Sequence, residues 1–175
     1  MRAQTTRTLL IALAVAASSG CAGEGAFRPI SVGDPAPSFA AATLDGDTLT
    51  LADFRGSPIL VNIWATWCAP CRKEMPEIEE LYQEYKDQGF EVVAVSIDNR
   101  GAADQIIEFT EEMGASFTIL HDAEQTITRN YQTIGVPESF LIDGDGVLRA
   151  RWTGRFMPLD PDVKALVEEA LAKAD

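Results

Sequence analysis

The stretch that decides the fold is VNIWATWCAPCRKEMP, residues 61–76. It begins within a continuous apolar run, ILVNIWA at residues 59–65, of the kind that forms a strand covered on both faces of a sheet. A helix is predicted to follow over residues 69–85, because apolar residues recur there at helical spacing. Pro76 inside this helix removes one backbone donor and predicts a kink. The sequence CAPC therefore lies where a buried strand passes into a helix.

Cys68 and Cys71 are separated by two residues at the predicted start of this helix. Unpaired backbone N–H groups and the helix dipole favour negative charge at that end, so they are expected to stabilise a thiolate at Cys68. The thiolate is the nucleophile in disulfide exchange. We therefore expect Cys68 to attack a partner disulfide, and Cys71, one turn inward and less exposed, to resolve the mixed disulfide.

Two simpler roles compete with redox chemistry for this cysteine pair. A closed zinc site needs about four nitrogen or sulfur ligands, whereas the pair can be joined only by His121, the one histidine of the chain. A purely structural disulfide is harder to dismiss, since exported proteins commonly contain them, although one that closes so short a loop gains little chain entropy. The spacing thus favours redox function and leaves an inert disulfide open.

The first twenty residues resemble a bacterial lipoprotein signal. Arg2 and Arg7 supply a positive start, residues 9–17 are apolar, and small residues then lead to Cys21. The apolar run is too short to span a bilayer comfortably, which disfavours the alternative of a short transmembrane anchor. We therefore predict that residues 1–20 are a signal peptide and that the protein is exported.

Cys21 is the residue that such a signal would have lipidated, to become the new N-terminus. Lipoprotein signals usually have Leu where this chain has Ser18, so cleavage without lipidation is the alternative. Residues 21–32 are predicted to be a tether, because the sequence after Cys21 is small, polar and Gly-containing. Together these features predict a membrane-anchored lipoprotein that faces the periplasm or the cell exterior.

The remaining residues, 33–175, are predicted to form one domain. The chain is 46% hydrophobic and 23% charged, which is typical of a globular protein, and its formal net charge of −13 argues against nucleic acid as a partner. A turn signal near residue 46 predicts an N-terminal β-hairpin. Further strands are predicted at residues 90–97, 116–120, 139–143 and 147–152, and further helices near 102–113, 123–131 and from 161 onward. This alternation predicts an α/β fold with a central sheet and helices on both faces.

The sequence resembles the TlpA/ResA-like branch of the thioredoxin superfamily in two motifs. These are residues 61–76, quoted above, and GVPESFLIDGDG at residues 135–146. The resemblance covers residues 33–175 and implies a thioredoxin fold, a central mixed sheet flanked by helices. It also implies an added N-terminal β-hairpin and an extra helix–strand insertion at about residues 99–120.

The resemblance also implies an activity. Members of this branch are exported thiol–disulfide oxidoreductases, so Cys68 and Cys71 are expected to form a redox-active disulfide without any metal or organic cofactor. The expected partners are exported proteins that contain disulfides, such as haem-binding motifs in cytochrome c maturation or copper sites of oxidases. A membrane redox partner is expected to supply electrons, which makes this protein a reductant.

Further residues correspond to positions in the family motifs. Pro137 matches a cis-proline that lies against the dithiol, and a trans proline in a surface turn is the alternative. Glu74 matches a glutamate that influences protonation of the dithiol; a solvated charge at the start of the helix would explain it equally well. Asn62 departs from the buried aspartate of thioredoxin and cannot titrate, which shifts acid–base duty toward Glu74 or water.

The groove that receives a partner is expected to include Trp67, Pro70, Val136 and Glu138. Trp67 is interpreted as part of an apolar rim around the reactive cysteine, whereas Trp64 is interpreted as core. Glu138 stands where many members have Thr and resembles the cytochrome c maturation members. It is expected to bias the choice of partner, with a plain exposed carboxylate as the alternative.

Two other functions are compatible with parts of the sequence. A Cu(I)-binding metallochaperone would use Cys68 and Cys71, with His121 as a third ligand, because thiolates suit Cu(I). A thiol peroxidase would share the fold, but such enzymes usually place the reactive cysteine in a Thr-x-x-Cys setting, and Ala65 replaces that Thr here. Trp67 and the nearby Cys71 further favour disulfide exchange.

Overall fold

The computed structural model describes residues 28–173. The predicted signal peptide, the proposed lipidation site Cys21 and most of the predicted tether lie outside the described residues. No helix within residues 28–173 is both long enough and apolar enough to cross a membrane.

The described chain forms a mixed sheet with helices packed against it, which confirms the predicted α/β fold. Its strands are β1 (Ala40–Thr43), β2 (Thr48–Thr50), β3 (Ile59–Trp64), β4 (Glu91–Ser96), β5 (Thr118–His121), β6 (Glu138–Ile142) and β7 (Leu148–Thr153). Its α-helices are α1 (Ala69–Tyr85), α2 (Ala103–Met113), α3 (Thr126–Asn130) and α4 (Pro161–Leu171). Two short 3-10 helices, Leu51–Phe54 and Lys86–Gln88, join these elements.

The strand order across the sheet is β2-β1-β5-β4-β3-β6-β7. Strands β3, β4 and β5 run parallel, and the remaining pairs are antiparallel. The expected N-terminal hairpin is β1–β2, which attaches to the sheet through β5. The helix and strand expected as an insertion at about residues 99–120 are α2 and β5.

Strand β3 is the centre of the sheet, and all six of its residues are buried. It pairs with β4 on one side and with β6 on the other, so that Trp64 lies opposite Ser96 and Ile63 opposite Glu138. The carboxyl ends of β3, β4 and β5 and the first residue of β6 therefore meet at one edge of the sheet. Reactive groups in open α/β sheets gather at such an edge.

Helix α1 has the bounds predicted from its apolar spacing and continues through Pro76 as one element. Met75, Ile78 and Leu81 are buried and fix its inner face against the sheet. Residue 69, where α1 begins, is five residues past the end of β3, so the two elements hold CAPC at the sheet edge.

Helix α3 begins at residue 126, three residues later than predicted. The preceding residue, Gln125, has a left-handed backbone with φ of 53°, which no helix can include. The buried carboxylate of Asp122 accepts a hydrogen bond of 2.7 Å from the Ile127 amide and so holds the first turn of the helix. The apolar pattern alone could not locate this boundary.

Candidate active site

Cys68 and Cys71 are joined by a disulfide at the N-terminus of α1. Cys68 is the N-cap, and its Sγ accepts a hydrogen bond of 3.2 Å from the Cys71 amide. Pro70 lies in the first turn of the helix, where a residue without an amide hydrogen costs nothing, and it is exposed. Cys68 is 5% exposed and Cys71 is 2% exposed, so Cys71 is the less exposed residue of the pair, as predicted.

A tight turn carries the chain from β3 to Cys68. The Cys68 amide donates a 3.1 Å hydrogen bond to the carbonyl of Ala65, which closes the turn over Thr66 and Trp67. Trp67 is 67% exposed beside the cysteine. Trp64, by contrast, is fully buried, and its ring lies 4.8 Å from that of Phe109, centre to centre. The two tryptophans thus have the surface and core positions expected of them.

The Val136–Pro137 peptide bond is cis, as predicted from the motif. Pro137 immediately precedes β6, whose first residue pairs with Ile63 near the end of β3. Pro137 therefore lies at the same sheet edge as the turn that carries Cys68. The Pro137 carbonyl accepts a 2.9 Å hydrogen bond from the Gly154 amide, which ties this segment to the loop after β7. Val136 is half-buried.

Glu74 is buried, not solvated: its residue is 1% exposed. Its Oε1 accepts a 2.9 Å hydrogen bond from the side-chain amide of Asn62, and its Oε2 accepts a 3.1 Å hydrogen bond from the backbone amide of Phe156. Glu74 lies one helical turn after Cys71, on the same inner side of α1. A carboxyl group is thus fixed beneath the dithiol end of the helix.

Burial raises the pKa of Glu74 from 4.5 to about 7. The hydrogen bonds from Phe156 and Asn62 and the nearby positive charge of Arg155 lower the pKa, but desolvation outweighs them. The negative charge of Glu77 adds to the rise. Glu74 can therefore gain or lose a proton near neutral pH, which an exposed glutamate does not do.

Asn62 connects the carboxyl group to the sheet. Its side-chain amide donates to Glu74 and, at 2.9 Å, to the hydroxyl of Ser139 on the neighbouring strand β6. Asn62, which cannot titrate, thus donates the hydrogen bond that orients the carboxyl group of Glu74, which can. The Phe156 amide, which no motif indicated, supplies the second donor from a loop 82 residues away in sequence.

Glu138 requires a correction. It is completely buried, so it is not an exposed carboxylate, and its side chain does not reach the surface of a partner groove. Its Oε1 accepts hydrogen bonds of 2.6 Å from Arg151 and 3.1 Å from the Thr153 hydroxyl, both on β7. Side chains of one strand alternate between the faces of a sheet, and this one points to the face that β7 supplies with a guanidinium. The sequence pattern of one strand does not show which side chain of the neighbouring strand it contacts.

The imidazole of His121 contacts a backbone carbonyl group. Its Nε2 lies 2.9 Å from the carbonyl oxygen of Asp98. Among residues 28–173 no group of three or more His, Cys, Asp or Glu side chains is arranged to hold a metal ion. Within residues 28–173, therefore, His121 and the two cysteines do not form such a group.

Comparison with known proteins identifies the family. Residues 32–151 match the model of the AhpC/TSA family. The chain is 38% identical over 117 residues to the thiol–disulfide oxidoreductase ResA of Bacillus thuringiensis, a match that spans 67% of this chain and 66% of the relative's length. ResA of Geobacillus kaustophilus is 37% identical over 125 residues, which cover 71% of each protein. Both relatives are named for thiol–disulfide exchange and not for peroxide reduction.

A solved structure supports the same assignment. The protein from Chlorobium tepidum assigned as the thiol:disulfide interchange protein DsbE superimposes with a TM-score of 0.74 at 32% identity, over 81% of this chain and 99% of that one. The fold, the position of the disulfide and the sequence identity all indicate the same family. The chain belongs to the AhpC/TSA family of the thioredoxin superfamily, among the thiol–disulfide oxidoreductases similar to ResA and DsbE.

Proposed function

We propose that this protein is an exported, membrane-tethered thiol–disulfide oxidoreductase that reduces disulfides in other exported proteins. The observation that carries the proposal is the Cys68–Cys71 disulfide at the N-terminus of α1, with Pro137 at the same sheet edge. The pair lies at the end of a buried strand, not across two distant segments that a structural disulfide would staple. This placement favours reaction over cross-linking.

The reaction transfers two electrons through the cysteine pair. In the reduced protein, the Cys68 thiolate attacks one sulfur of a substrate disulfide, which forms a mixed disulfide and releases the other substrate sulfur as a thiolate. The Cys71 thiolate then attacks Cys68 Sγ, releases the second substrate sulfur and leaves the Cys68–Cys71 disulfide. The helix N-terminus and the Cys71 amide, which already contacts Cys68 Sγ, favour negative charge on the first sulfur.

Glu74 is proposed to handle the proton of Cys71. The inner cysteine must lose a proton before it can attack, and Glu74 lies one helical turn further along α1 in the same buried environment. With a pKa of about 7, the Glu74 carboxyl can accept that proton at neutral pH and return it later. Asn62 and Phe156 hold the two carboxyl oxygens in place while it does so.

The substrate is proposed to lie across Trp67, Pro70 and Val136. Trp67 and Pro70 are exposed on the cysteine side, and the backbone before Pro137 is proposed to pair with an extended polypeptide. Ile134, 84% exposed in the same loop, extends the apolar surface. An unfolded exported protein offers both extended backbone and apolar side chains, so this surface suits such a substrate.

The proposal also includes how the protein is anchored to a membrane and in which direction it transfers electrons. Lipid on Cys21 would hold the domain at the outer face of a membrane, where a membrane redox partner can return electrons to the disulfide. Net reduction would suit cytochrome c maturation or copper-site assembly, in which cysteines must be thiols before they bind their ligand. A Cys21→Ala variant that leaves the membrane fraction, while wild-type protein stays in it, would support the anchoring; equal fractionation of the two would oppose it.

The activity is tested with a disulfide-bonded peptide that carries a Cys-x-x-Cys-His motif. Reduced wild-type protein should convert one equivalent of peptide disulfide to two thiols and should end as the Cys68–Cys71 disulfide. Cys68→Ser should produce no reduced peptide. Rapid turnover of hydrogen peroxide by Cys71→Ser, combined with no reduction of the peptide by wild-type protein, would instead establish a thiol peroxidase.

A further inference from the structure

A buried carboxylate outside the dithiol site binds the turn that presents Cys68. Asp98, 4% exposed, follows the end of β4 by two residues. Its Oδ1 accepts a 2.7 Å hydrogen bond from the Thr66 hydroxyl, and its Oδ2 accepts a 2.9 Å hydrogen bond from the Thr66 backbone amide. One carboxylate thus grips both the backbone and the side chain of a single residue, 32 positions earlier in the sequence.

Asp98 is itself held firmly in place. The Ser96 hydroxyl donates a 2.7 Å hydrogen bond to Oδ2 and accepts a 3.1 Å hydrogen bond from the Asp98 amide. The carbonyl of Asp98 lies 2.9 Å from Nε2 of His121 on β5. Among residues 28–173, the groups that donate hydrogen bonds to its carboxylate are all uncharged, so directional hydrogen bonds and not an ion pair orient the carboxylate.

Thr66 is the second residue of the turn that the Cys68 amide closes onto the Ala65 carbonyl. Fixing Thr66 at its backbone amide and its hydroxyl leaves this turn little freedom to rotate. This turn also determines the positions of Trp67 and the Cys68 sulfur relative to Pro137. We propose that Asp98 is a positioning residue for the reaction, which holds Cys68 and Trp67 in the geometry that a substrate disulfide requires. This inference rests on the proposed function.

The positioning role differs from an electrostatic one in what it predicts. A disulfide is attacked along the axis of its S–S bond, so the rate with a docked polypeptide depends on the direction of approach. A small alkylating agent such as iodoacetamide reaches an accessible thiolate from any open direction. If Asp98 positions the turn, its loss slows exchange with a peptide but leaves alkylation of fully ionised Cys68 unchanged.

The test compares variants of the whole reduced protein for exchange with the disulfide peptide and for alkylation by iodoacetamide. Asp98→Asn keeps the shape of the side chain but replaces one acceptor oxygen with a donor that opposes Thr66 or Ser96. Peptide exchange should slow on the order of tenfold, with the plateau rate of alkylation at high pH at its wild-type value. Asp122→Asn is the matched control, because Asp122 is a buried aspartate at the same sheet edge whose carboxylate binds the first turn of α3 and not the Cys68 turn.

Thr66 provides a second test that does not depend on changing a buried charge. Thr66→Val removes only the hydroxyl that Asp98 accepts from and should slow peptide exchange several-fold, whereas Thr66→Ser, which keeps the hydroxyl, should restore the wild-type rate. Equal losses in Asp98→Asn and Asp122→Asn, or in Thr66→Ser and Thr66→Val, would overturn the inference. An inactive wild-type protein would instead refute the proposed function and the inference with it.

Discussion

The raised pKa of Glu74 predicts an unusual dependence of stability on pH. Its carboxyl has a pKa of 4.5 when unperturbed and about 7 in the folded protein, because burial disfavours the carboxylate. Below pH 4.5 both the folded and the unfolded chain hold the proton. Between the two pKa values only the folded protein does, so the stability that the neutral carboxyl contributes is lost as the pH rises through 7.

The expected size of this loss of stability follows from the two pKa values of Glu74. Raising the pKa from 4.5 to about 7 corresponds to a loss of about 3 kcal/mol in the free energy of unfolding between pH 4.5 and pH 8.5. Glu74→Gln is permanently neutral and nearly isosteric, so it should escape this loss. The variant should therefore match the wild type in acid and exceed its stability by about 3 kcal/mol in mild alkali.

Urea unfolding of the oxidised protein at several pH values measures this difference. Other titrating groups affect both proteins alike, so the difference between their two curves isolates position 74. Glu80→Gln, on the exposed side of the same helix, is the control and should leave the curve parallel to that of the wild type. If the curves of wild type and Glu74→Gln stay parallel from pH 4.5 to 8.5, Glu74 ionises normally and the proposed proton transfer loses its basis.

Two further predictions concern buried polar groups. Arg151→Met should destabilise the protein by about 3–5 kcal/mol in urea unfolding, because it leaves Glu138 buried without its cation. Removal of the exposed Arg100 is the control and should cost under about 1 kcal/mol. Similar costs for the two substitutions would refute this prediction. Tyr131→Phe should be neutral or slightly stabilising, since its buried hydroxyl has no partner among residues 28–173, while Tyr85→Phe, which loses a hydrogen bond of 2.9 Å, should cost about 1 kcal/mol. A larger loss of stability for Tyr131→Phe than for Tyr85→Phe would contradict the inference that the Tyr131 hydroxyl has no partner among residues 28–173.

The elements that carry the site are predictable from the sequence because local patterns determine them. The apolar run at residues 59–65 can only be buried, and the spacing of apolar residues after residue 69 is helical, so the strand and helix flanking CAPC follow directly. Helix α4 likewise begins at residue 161 as predicted, and the structure has Asp160 as its N-cap and Pro161 in its first turn. The cis form of the Val136–Pro137 bond was predicted from the motif resemblance.

Contacts between distant segments are what the sequence did not show. Glu74 and Glu138 both lie within the quoted motifs, yet Glu74 accepts hydrogen bonds from Asn62 and the Phe156 amide, whereas Glu138 accepts one from Arg151. The burial and partner of each depend on which loop or strand the fold brings over it. Asp98 had a weak signal, its position just after a buried strand, but its bonds to Thr66 depend on the parallel pairing of β3 with β4.

Export and lipidation stay predictions from residues 1–21, and the identity of the substrate stays a prediction from the family resemblance. None of these alters the chemistry proposed for the cysteine pair.

The central claim is that Cys68 attacks and Cys71 resolves, and trapping of the mixed disulfide tests it most directly. Reduced Cys71→Ser and Cys68→Ser proteins are each mixed with the disulfide-bonded peptide, quenched with acid and analysed by mass spectrometry of proteolytic fragments. Cys71→Ser should accumulate a stable adduct of one peptide on Cys68, because no resolving thiol remains, and Cys68→Ser should form none. An adduct of equal yield on Cys71 in the Cys68→Ser protein would contradict the account.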